Sequence, residues 1–317
     1  MIVGQGNTSW IRVVLRWQGT TLPRTWKRIL VTTAFAVLVT VFWTRWGLSE
    51  WSISPLPFTL ISVALGIFLG FRNNTSYDRF WEGRKLWGRI VNLSRIWTRQ
   101  VYTLLATPPN AQRLDTAELH ALQREMVLRQ IAYVHALRLH LRDAQGDDYA
   151  ELDAFIDERE RKEIQNESNT PAALLHRSGE LLTEAWQRGW IQQFHLPVLE
   201  SSLSELTEVQ GGCERIKATP IPFGYTVLMH RLVAIYCITL PFGVEDTVGV
   251  LTPLVVALVS FAFYGLDSIG DEIEEPFGFD PNDLPLDALS RMIEINLKER
   301  LEDPLPEPHQ AKDGILS

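Results

Sequence analysis

The sequence predicts an all-α membrane protein with four transmembrane helices per subunit and a large cytoplasmic helical domain. Three observations support this fold class: apolar segments that pair as hairpins, tryptophans near the ends of those segments, and basic residues confined to one side of them. Tryptophan suits a membrane interface because its ring is amphipathic. The four apolar segments are residues 29–46, 55–71, 221–243 and 248–266.

These apolar segments are short for isolated membrane spans. Segments 29–46 and 55–71 fall below the ~20 residues that a lone spanning helix needs, and buried helices of soluble proteins have similar lengths. Short connections at 47–54 and 244–247 favour two membrane hairpins. Helices shielded by neighbours in an oligomer also tolerate reduced length and polar residues. We therefore prefer membrane spans to buried soluble helices.

The distribution of Lys and Arg sets the orientation. Basic residues precede the first apolar segment and follow the second, whereas the two short connections contain none. Because basic residues stay on the cytoplasmic side, both termini and the region between the hairpins face the cytoplasm. The expected parts are a cytoplasmic N-terminal segment (1–28), a hairpin of spans 1 and 2 (29–71), a cytoplasmic helical domain (72–220), a hairpin of spans 3 and 4 (221–266), a cytoplasmic acidic turn and helix (267–302) and a flexible tail (303–317).

The cytoplasmic region reads as helices. Residues 143–170 are highly charged with few apolar anchors, which indicates a solvated helix and loop. The triplet Asn169-Thr170-Pro171 is a helix-start signal, because proline suits the first turn. A further helix is expected from about 197 to 216.

Composition argues against several function classes. A net charge of −8 and a pI near 5.5 are unsuited to a nucleic-acid partner. The two cysteines give no disulfide framework. The motifs GxGxxG, GxxxxGK[ST], HExxH and GxSxG are absent from the sequence. We therefore expect neither an enzyme nor a cofactor.

Three stretches of the sequence resemble the bacterial branch of the bestrophin family. They are FLGFRNNTSYDRFWEGRKLWG, GGCERIKATPIPFGYTVLMHR and DSIGDEIEEPFGFDPNDLPLDAL, and with their spacing they cover most of residues 20–295. The resemblance implies a homopentameric ion channel, multi-pass in the bacterial inner membrane. Its partners would be copies of itself, membrane lipid and the permeating monovalent ions.

Val63, Ile67 and Phe71 fall four residues apart, on one face of a predicted helix. Taken alone, such a stripe is typical of a lipid-facing or packing face. The resemblance implies instead a narrow apolar pore neck, with one ring per position around a fivefold axis. Apolar constrictions can gate by dewetting.

Asn74 and Asp78 continue the same face below the stripe. A ring of Asp78 carboxylates in the vestibule would concentrate cations and repel anions. The alternative is a surface network of ion pairs among Asp78, Arg79 and Glu82. The resemblance also implies a cytosolic constriction of one apolar residue per subunit, for which Leu196 and Val198 are the candidates.

The acidic segment 267–287 corresponds to the calcium-binding region of animal bestrophins. Glu275, Asp280 and Asp283 are its candidate ligands, around the retained Pro-Phe-Gly turn. Glu272 and Glu275 depart from the amide side chains of the animal pattern, so no metal is expected. The alternative is an acidic turn paired with the basic stretch after Phe71.

His230 and Arg231 lie inside the third apolar pattern, where ionisable residues are functional candidates. We favour a structural role for them at the cytoplasmic boundary. The predicted function is passive conduction of monovalent ions with a preference for cations. An anion channel, a transporter and a scaffold without channel activity stay open as alternatives.

Overall fold

The structure is a computed structural model that describes residues 9–17, 19–46, 54–107, 113–165, 167–311, 314 and 316. Within these ranges the secondary structure is helical, apart from an isolated bridge between Leu105 and Ile191. The α-helices of the described residues are α1 (Trp10–Val14), α2 (Leu22–Trp46), α3 (Leu56–Leu104), α4 (Arg113–Leu141), α5 (Glu158–Gln165), α6 (Thr170–Gln187), α7 (Leu196–Ala218), α8 (Phe223–Val248), α9 (Thr252–Glu274) and α10 (Leu286–Leu301).

The longest element is α3, a single helix of 49 residues. At ~1.5 Å per residue it extends over about 70 Å, more than twice the hydrocarbon thickness of a bilayer. It begins next to Pro55, and its one proline, Pro57, lies in the first turn, where a missing N–H is tolerated. The predicted passage from an apolar segment into a charged helix without a turn is therefore confirmed.

Two hydrophobic cores flank this helix. The first lies around the N-terminal half of α3 and is formed with α2, α8 and α9; Leu65, Leu69 and Val233 are among its buried members. The second lies around the C-terminal half of α3 and is formed with α4, α6, α7 and α10. Both ends of α3 are thus held, each in a different core.

Three helical stretches are long and apolar enough to cross a membrane: Leu22–Trp46, Leu56–Leu104 and Phe223–Glu274. The third stretch contains α8 and α9, joined by a 3₁₀ turn at Gly249–Leu251. Gly249 has φ +53°, a conformation that glycine adopts without steric cost, and the chain reverses there.

The connection predicted at 244–247 is wrong, because these residues belong to α8. Glu245 is buried there, and its carboxylate accepts a 2.9 Å hydrogen bond from Thr40 of α2. Because the carboxylate has this hydrogen-bond partner, Glu245 can be buried and α8 can continue through it. The first helix also begins earlier than predicted, at Leu22. Most of the predicted 47–54 connection lies outside the described residues.

The charged stretch 143–170 forms a 3₁₀ helix at Gly146–Ala154 and the short α5. The predicted helix start is confirmed, since Asn169 caps α6 by accepting a 3.1 Å hydrogen bond from the Ala172 backbone N–H. The predicted helix at 197–216 is α7. It runs antiparallel to α3: Ser202 donates to Gln100 at 2.8 Å, and Arg215 pairs with Glu82 at 2.6 Å.

Candidate functional site

The first half of α3 exposes an apolar stripe on one face. Val63, Ile67 and Phe71 are 58%, 53% and 66% exposed, although all three are large and hydrophobic. Leu65 and Leu69, on the opposite face of the same turns, are buried in the first core. The stripe therefore has no cover within the described chain, while the helix that carries it is fixed from behind.

Close backbone approaches hold α3 in place. A Cβ atom at Gly243 of α8 would collide with the ring of Phe58, and one at Gly270 of α9 would collide with the side chain of Asn73. Asn73 also donates a 3.1 Å hydrogen bond to the Leu266 carbonyl. These contacts occur on both sides of the stripe along α3, so they set its position relative to α8 and α9.

A buried ion-pair cluster begins one residue after the stripe. The Arg72 guanidinium is buried and donates to Asp267 at 2.9 Å and to Asp271, and Glu274 lies 3.7 Å away. These acidic side chains all come from the last turns of α9. The predicted pairing between the acidic segment and the basic stretch after Phe71 is thus present in the structure.

Asn74 and Asp78 are exposed on the same side of α3 as the stripe. The Asn74 amide donates to the Asp78 carboxylate at 3.4 Å. The alternative network among Asp78, Arg79 and Glu82 is not formed. Arg79 instead donates to the backbone carbonyls of Ile216, Thr219 and Glu274.

Glu82 pairs with Arg215 of α7. No basic side chain of the described residues lies within ion-pair distance of Asp78. Its carboxylate is therefore available to ions in solution.

The two candidates for a cytosolic constriction differ in exposure. Leu196 is half-buried against the second core, whereas Val198 is exposed. Sequence reasoning missed Phe194, which is 85% exposed in the turn that precedes α7. The only sequence signal is an aromatic residue standing alone in the polar run Gln-Gln-Phe-His.

This turn lies beside the far end of α3. The Ala106 N–H donates to the Trp190 carbonyl at 2.9 Å, and Leu105 pairs with Ile191. Ile67 and Leu104 are separated by about 55 Å along α3, at ~1.5 Å per residue. The apolar stripe and Phe194 therefore lie near opposite ends of α3.

The three calcium candidates have other partners. Asp280 forms a 2.5 Å ion pair with Arg24 of α2, and its backbone N–H donates to Asp283 at 2.7 Å. Glu275 contributes its backbone carbonyl to the turn by accepting from Gly278 at 3.4 Å. The guanidinium of Arg24 thus occupies the position beside Asp280 where a calcium ion would otherwise supply the positive charge.

Asp283 is buried, and one of its carboxylate oxygens has no hydrogen-bond partner among the described residues. Burial raises the pKa of Asp283 to about 7. Burial therefore disfavours the charged form of this carboxyl group, which is the form that would bind calcium.

His230 lies at the Arg72 cluster, whereas Arg231 is exposed. The His230 ring faces Asp267 at 2.6 Å and Asp271 at 3.6 Å. This arrangement gives His230 a place in the contact between α8 and α9. It agrees with the structural role favoured from the sequence.

The family profile described as Bacterial/Fungal Bestrophin protein matches residues 1–299 of this chain. The chain belongs to the bestrophin family. Bestrophins are membrane ion channels rather than enzymes, and the resemblance seen in the sequence is confirmed.

Similar proteins from bacteria are named as channels. A voltage-dependent anion channel-forming protein of Ralstonia nicotianae is 38% identical over 297 residues, covering 93% of each chain. The voltage-dependent anion channel-forming protein YneE of Escherichia coli K12 is 37% identical over 293 residues, covering 91% of this chain and 90% of its own. Their names give no support to the cation preference predicted for this bestrophin.

Solved structures agree on the fold. The crystal structure of a bestrophin homologue from Klebsiella pneumoniae matches with a TM-score of 0.80 and 31% identity, over 88% of this chain and all of that one. The all-helical architecture of this bestrophin is therefore that of the bacterial family.

Proposed function

We propose that this bestrophin is the subunit of a homopentameric channel that conducts monovalent ions passively through a central pore. The single observation that carries the proposal is the exposed stripe of Val63, Ile67 and Phe71 on a helix that is packed on its opposite face. In a ring of subunits with α3 nearest the axis, each position of the stripe forms one ring of apolar side chains. Together these rings form the neck.

The neck controls the passage of ions through hydration. An ion that enters an apolar constriction loses water and receives no ligand in return, so a narrow neck is a barrier and a slightly wider one conducts. Because α3 is fixed by Phe58, Arg72 and Asn73, small shifts of α8 and α9 reach the stripe directly. The neck is thus the natural position of a gate.

We place the second constriction at Phe194 rather than at Leu196. Phe194 is almost fully exposed, whereas Leu196 is half-buried against the second core of its own subunit. A half-buried side chain has less free surface than Phe194 with which to narrow a pore. Val198 stays a candidate, because it is exposed in the first turn of α7.

The conducted ions are either anions or cations, and a different observation favours each. The relatives named as anion channel-forming proteins favour anions. The exposed Asp78 carboxylate, on the same helical face below the neck, favours cations as the second candidate. The first rests on the names of relatives and the second on one side chain of this chain.

The proposed setting is the bacterial inner membrane, with both termini in the cytoplasm. Four helices, α2, the first part of α3, α8 and α9, would span the bilayer and contact lipid. The boundaries proposed from the sequence then apply, except that α8 continues through residues 244–247. The remaining helices form the cytoplasmic vestibule.

The experiment is a reversal-potential measurement on the purified protein in planar bilayers under a KCl gradient. A reversal near the chloride equilibrium potential supports an anion channel, and one near the potassium potential supports the second candidate. No current from wild type or from a variant with Ala at Val63, Ile67 and Phe71 would overturn the channel proposal and favour a transporter or a scaffold.

A further inference from the structure

We propose that His230 and Asp271 bind a divalent transition-metal ion such as Zn²⁺ where the beginning of α8 packs against the end of α9. Asp267 and Arg72 are the positioning residues. The proposal rests on the contacts of the His230 ring, on the separation of the ligand atoms and on the local charge. One ligand atom from each of His230, Asp267 and Asp271 lies within 4.8 Å of the other two.

The first observation is the carboxylate behind the histidine. His230 Nδ1 lies 2.6 Å from Asp267 Oδ2, and the Asp267 carboxylate is buried. Since a carboxylate accepts, Nδ1 carries the hydrogen, and the lone pair of the neutral ring is on Nε2. Metal-binding histidines are held in this way, with the other ring nitrogen donating to a carboxylate.

The second observation is the distance on the opposite side of the ring. His230 Nε2 lies 3.6 Å from Asp271 Oδ2. Two ligand atoms on a tetrahedral zinc ion are about 3.3 Å apart, given metal–nitrogen and metal–oxygen bonds of roughly 2.0–2.2 Å. An ion between these atoms therefore needs only a small adjustment of side chains.

The third observation is how the carboxylates are held. Arg72 donates to Oδ1 of both Asp267 and Asp271, so their Oδ2 atoms are the ones turned toward His230. The Arg72 guanidinium is buried, so water does not compete for these two contacts. Arg72 therefore orients the ligand Asp271 directly. It also orients Asp267, whose carboxylate in turn orients the second ligand, His230.

The local charge favours a cation. Three carboxylates surround the cluster, from Asp267, Asp271 and Glu274, against the guanidinium of Arg72 and the more exposed one of Arg28 at 4.0 Å. Negative charge is thus in excess. An imidazole and a carboxylate suit zinc, which accepts nitrogen and oxygen ligands, better than they suit calcium, which requires several oxygens.

The site is accessible to an ion. His230 and Asp271 are each about one-third exposed, while Asp267 is buried. Water can complete the coordination on the exposed side. A bound ion would link α8 to α9 next to Arg72, which holds α3 one residue after the neck.

The test is a titration of the full-length protein in nanodiscs with ZnCl₂ by isothermal calorimetry, followed by zinc X-ray absorption on the loaded sample. We expect saturable binding of one ion per subunit and an absorption signature of imidazole plus oxygen ligands. His230→Gln and Asp271→Asn should each abolish that binding. Asp267→Asn should weaken it by roughly 10–100-fold, as expected for a residue behind a metal ligand.

His176 and Glu180 on α6 provide a matched control. Their nitrogen and oxygen atoms are also 3.6 Å apart, but the pair is exposed on the surface of the helix. His176→Gln should leave the high-affinity binding unchanged. Because Asp271 is partly exposed, its variant also serves if His230→Gln fails to fold.

Unchanged zinc affinity in His230→Gln or Asp271→Asn would overturn the proposal, as would an absence of saturable binding in wild type. The measurement does not depend on conduction, so its failure leaves the channel proposal untouched.

Discussion

The guanidinium of Arg72 lies 2.9 Å from the Asp267 carboxylate, and both side chains are almost fully buried. This ion pair joins α3 to α9 directly below the exposed apolar stripe. A paired charge is tolerated in such surroundings, whereas a single one is costly. The position of the proposed neck therefore depends on an electrostatic contact as well as on apolar packing.

Arg72→Ala should strongly destabilise the protein, because it removes the buried guanidinium that is paired with the Asp267 carboxylate. Loss of one member of a buried pair costs about 3–5 kcal/mol. Arg89→Ala on the same helix is the control, since Arg89 and Glu205 form an exposed pair at 2.9 Å. Such pairs contribute roughly 0–1 kcal/mol. Thermal unfolding in detergent should show a large loss for Arg72→Ala alone, and equal losses in both would contradict this account.

Asp78→Asn should raise the ratio of chloride to potassium permeability, whichever ion dominates in wild type. The ring of carboxylates attracts cations and repels anions, and the effect on local ion concentration is roughly tenfold or more at low salt. Reversal potentials under a KCl gradient measure the ratio. Glu158→Gln removes one negative charge per subunit from a remote helix and should not change it. An identical shift in both variants would remove Asp78 from the permeation path.

Phe194→Ala should increase single-channel conductance with little loss of stability. The ring is almost fully exposed in the subunit, so truncation leaves no cavity in the core. Leu196→Ala should leave the conductance near that of wild type. It should lower the melting temperature, because this side chain packs against the second core. Parallel recordings and melting curves separate the two effects. Unchanged conductance in Phe194→Ala would return the second constriction to Val198.

The protein should lose stability as the pH rises from 5 to 8, in part because of Asp283. Burial raises the pKa of Asp283 to about 7 in the folded state, above the ordinary 3.8. Folding therefore favours the protonated carboxyl; the contribution is complete below about pH 4 and is lost as the pH passes 7. Asp283→Asn should show a smaller decrease in melting temperature over this range.

Asp78→Asn is the control for that experiment, since Asp78 is exposed. Its melting temperature should follow wild type at every pH. A decrease of the same size in Asp283→Asn and wild type would show that Asp283 does not titrate as described.

The sequence correctly predicted those features that depend only on residues close together in the chain. The continuous α3 follows from an apolar segment that runs into a charged helical pattern with no proline after Pro57 in its first turn. The four-residue spacing of Val63, Ile67 and Phe71 is enough to place them on one face of that helix. The resemblance then supplied a role for that face, which spacing alone could not.

The sequence failed where a distant partner decides the outcome. Glu245 and Asp246 resemble a connection, yet Glu245 is held inside α8 by a hydroxyl about two hundred positions earlier, on Thr40. Phe194 looks unremarkable until the fold leaves it uncovered at the end of α3. Likewise, His230 gains its neighbours only when α9 packs beside α8.

The central claim is that ions pass the face of α3 that carries Ile67, and thiol modification of Ile67→Cys tests it most directly. Wild type has two cysteines, both buried, and burial raises the pKa of Cys213 to about 12, so neither should react. A charged methanethiosulfonate should change the current through Ile67→Cys within seconds and leave Leu65→Cys, on the packed face, unaffected. An unaltered current in a conducting Ile67→Cys channel would contradict the proposed neck.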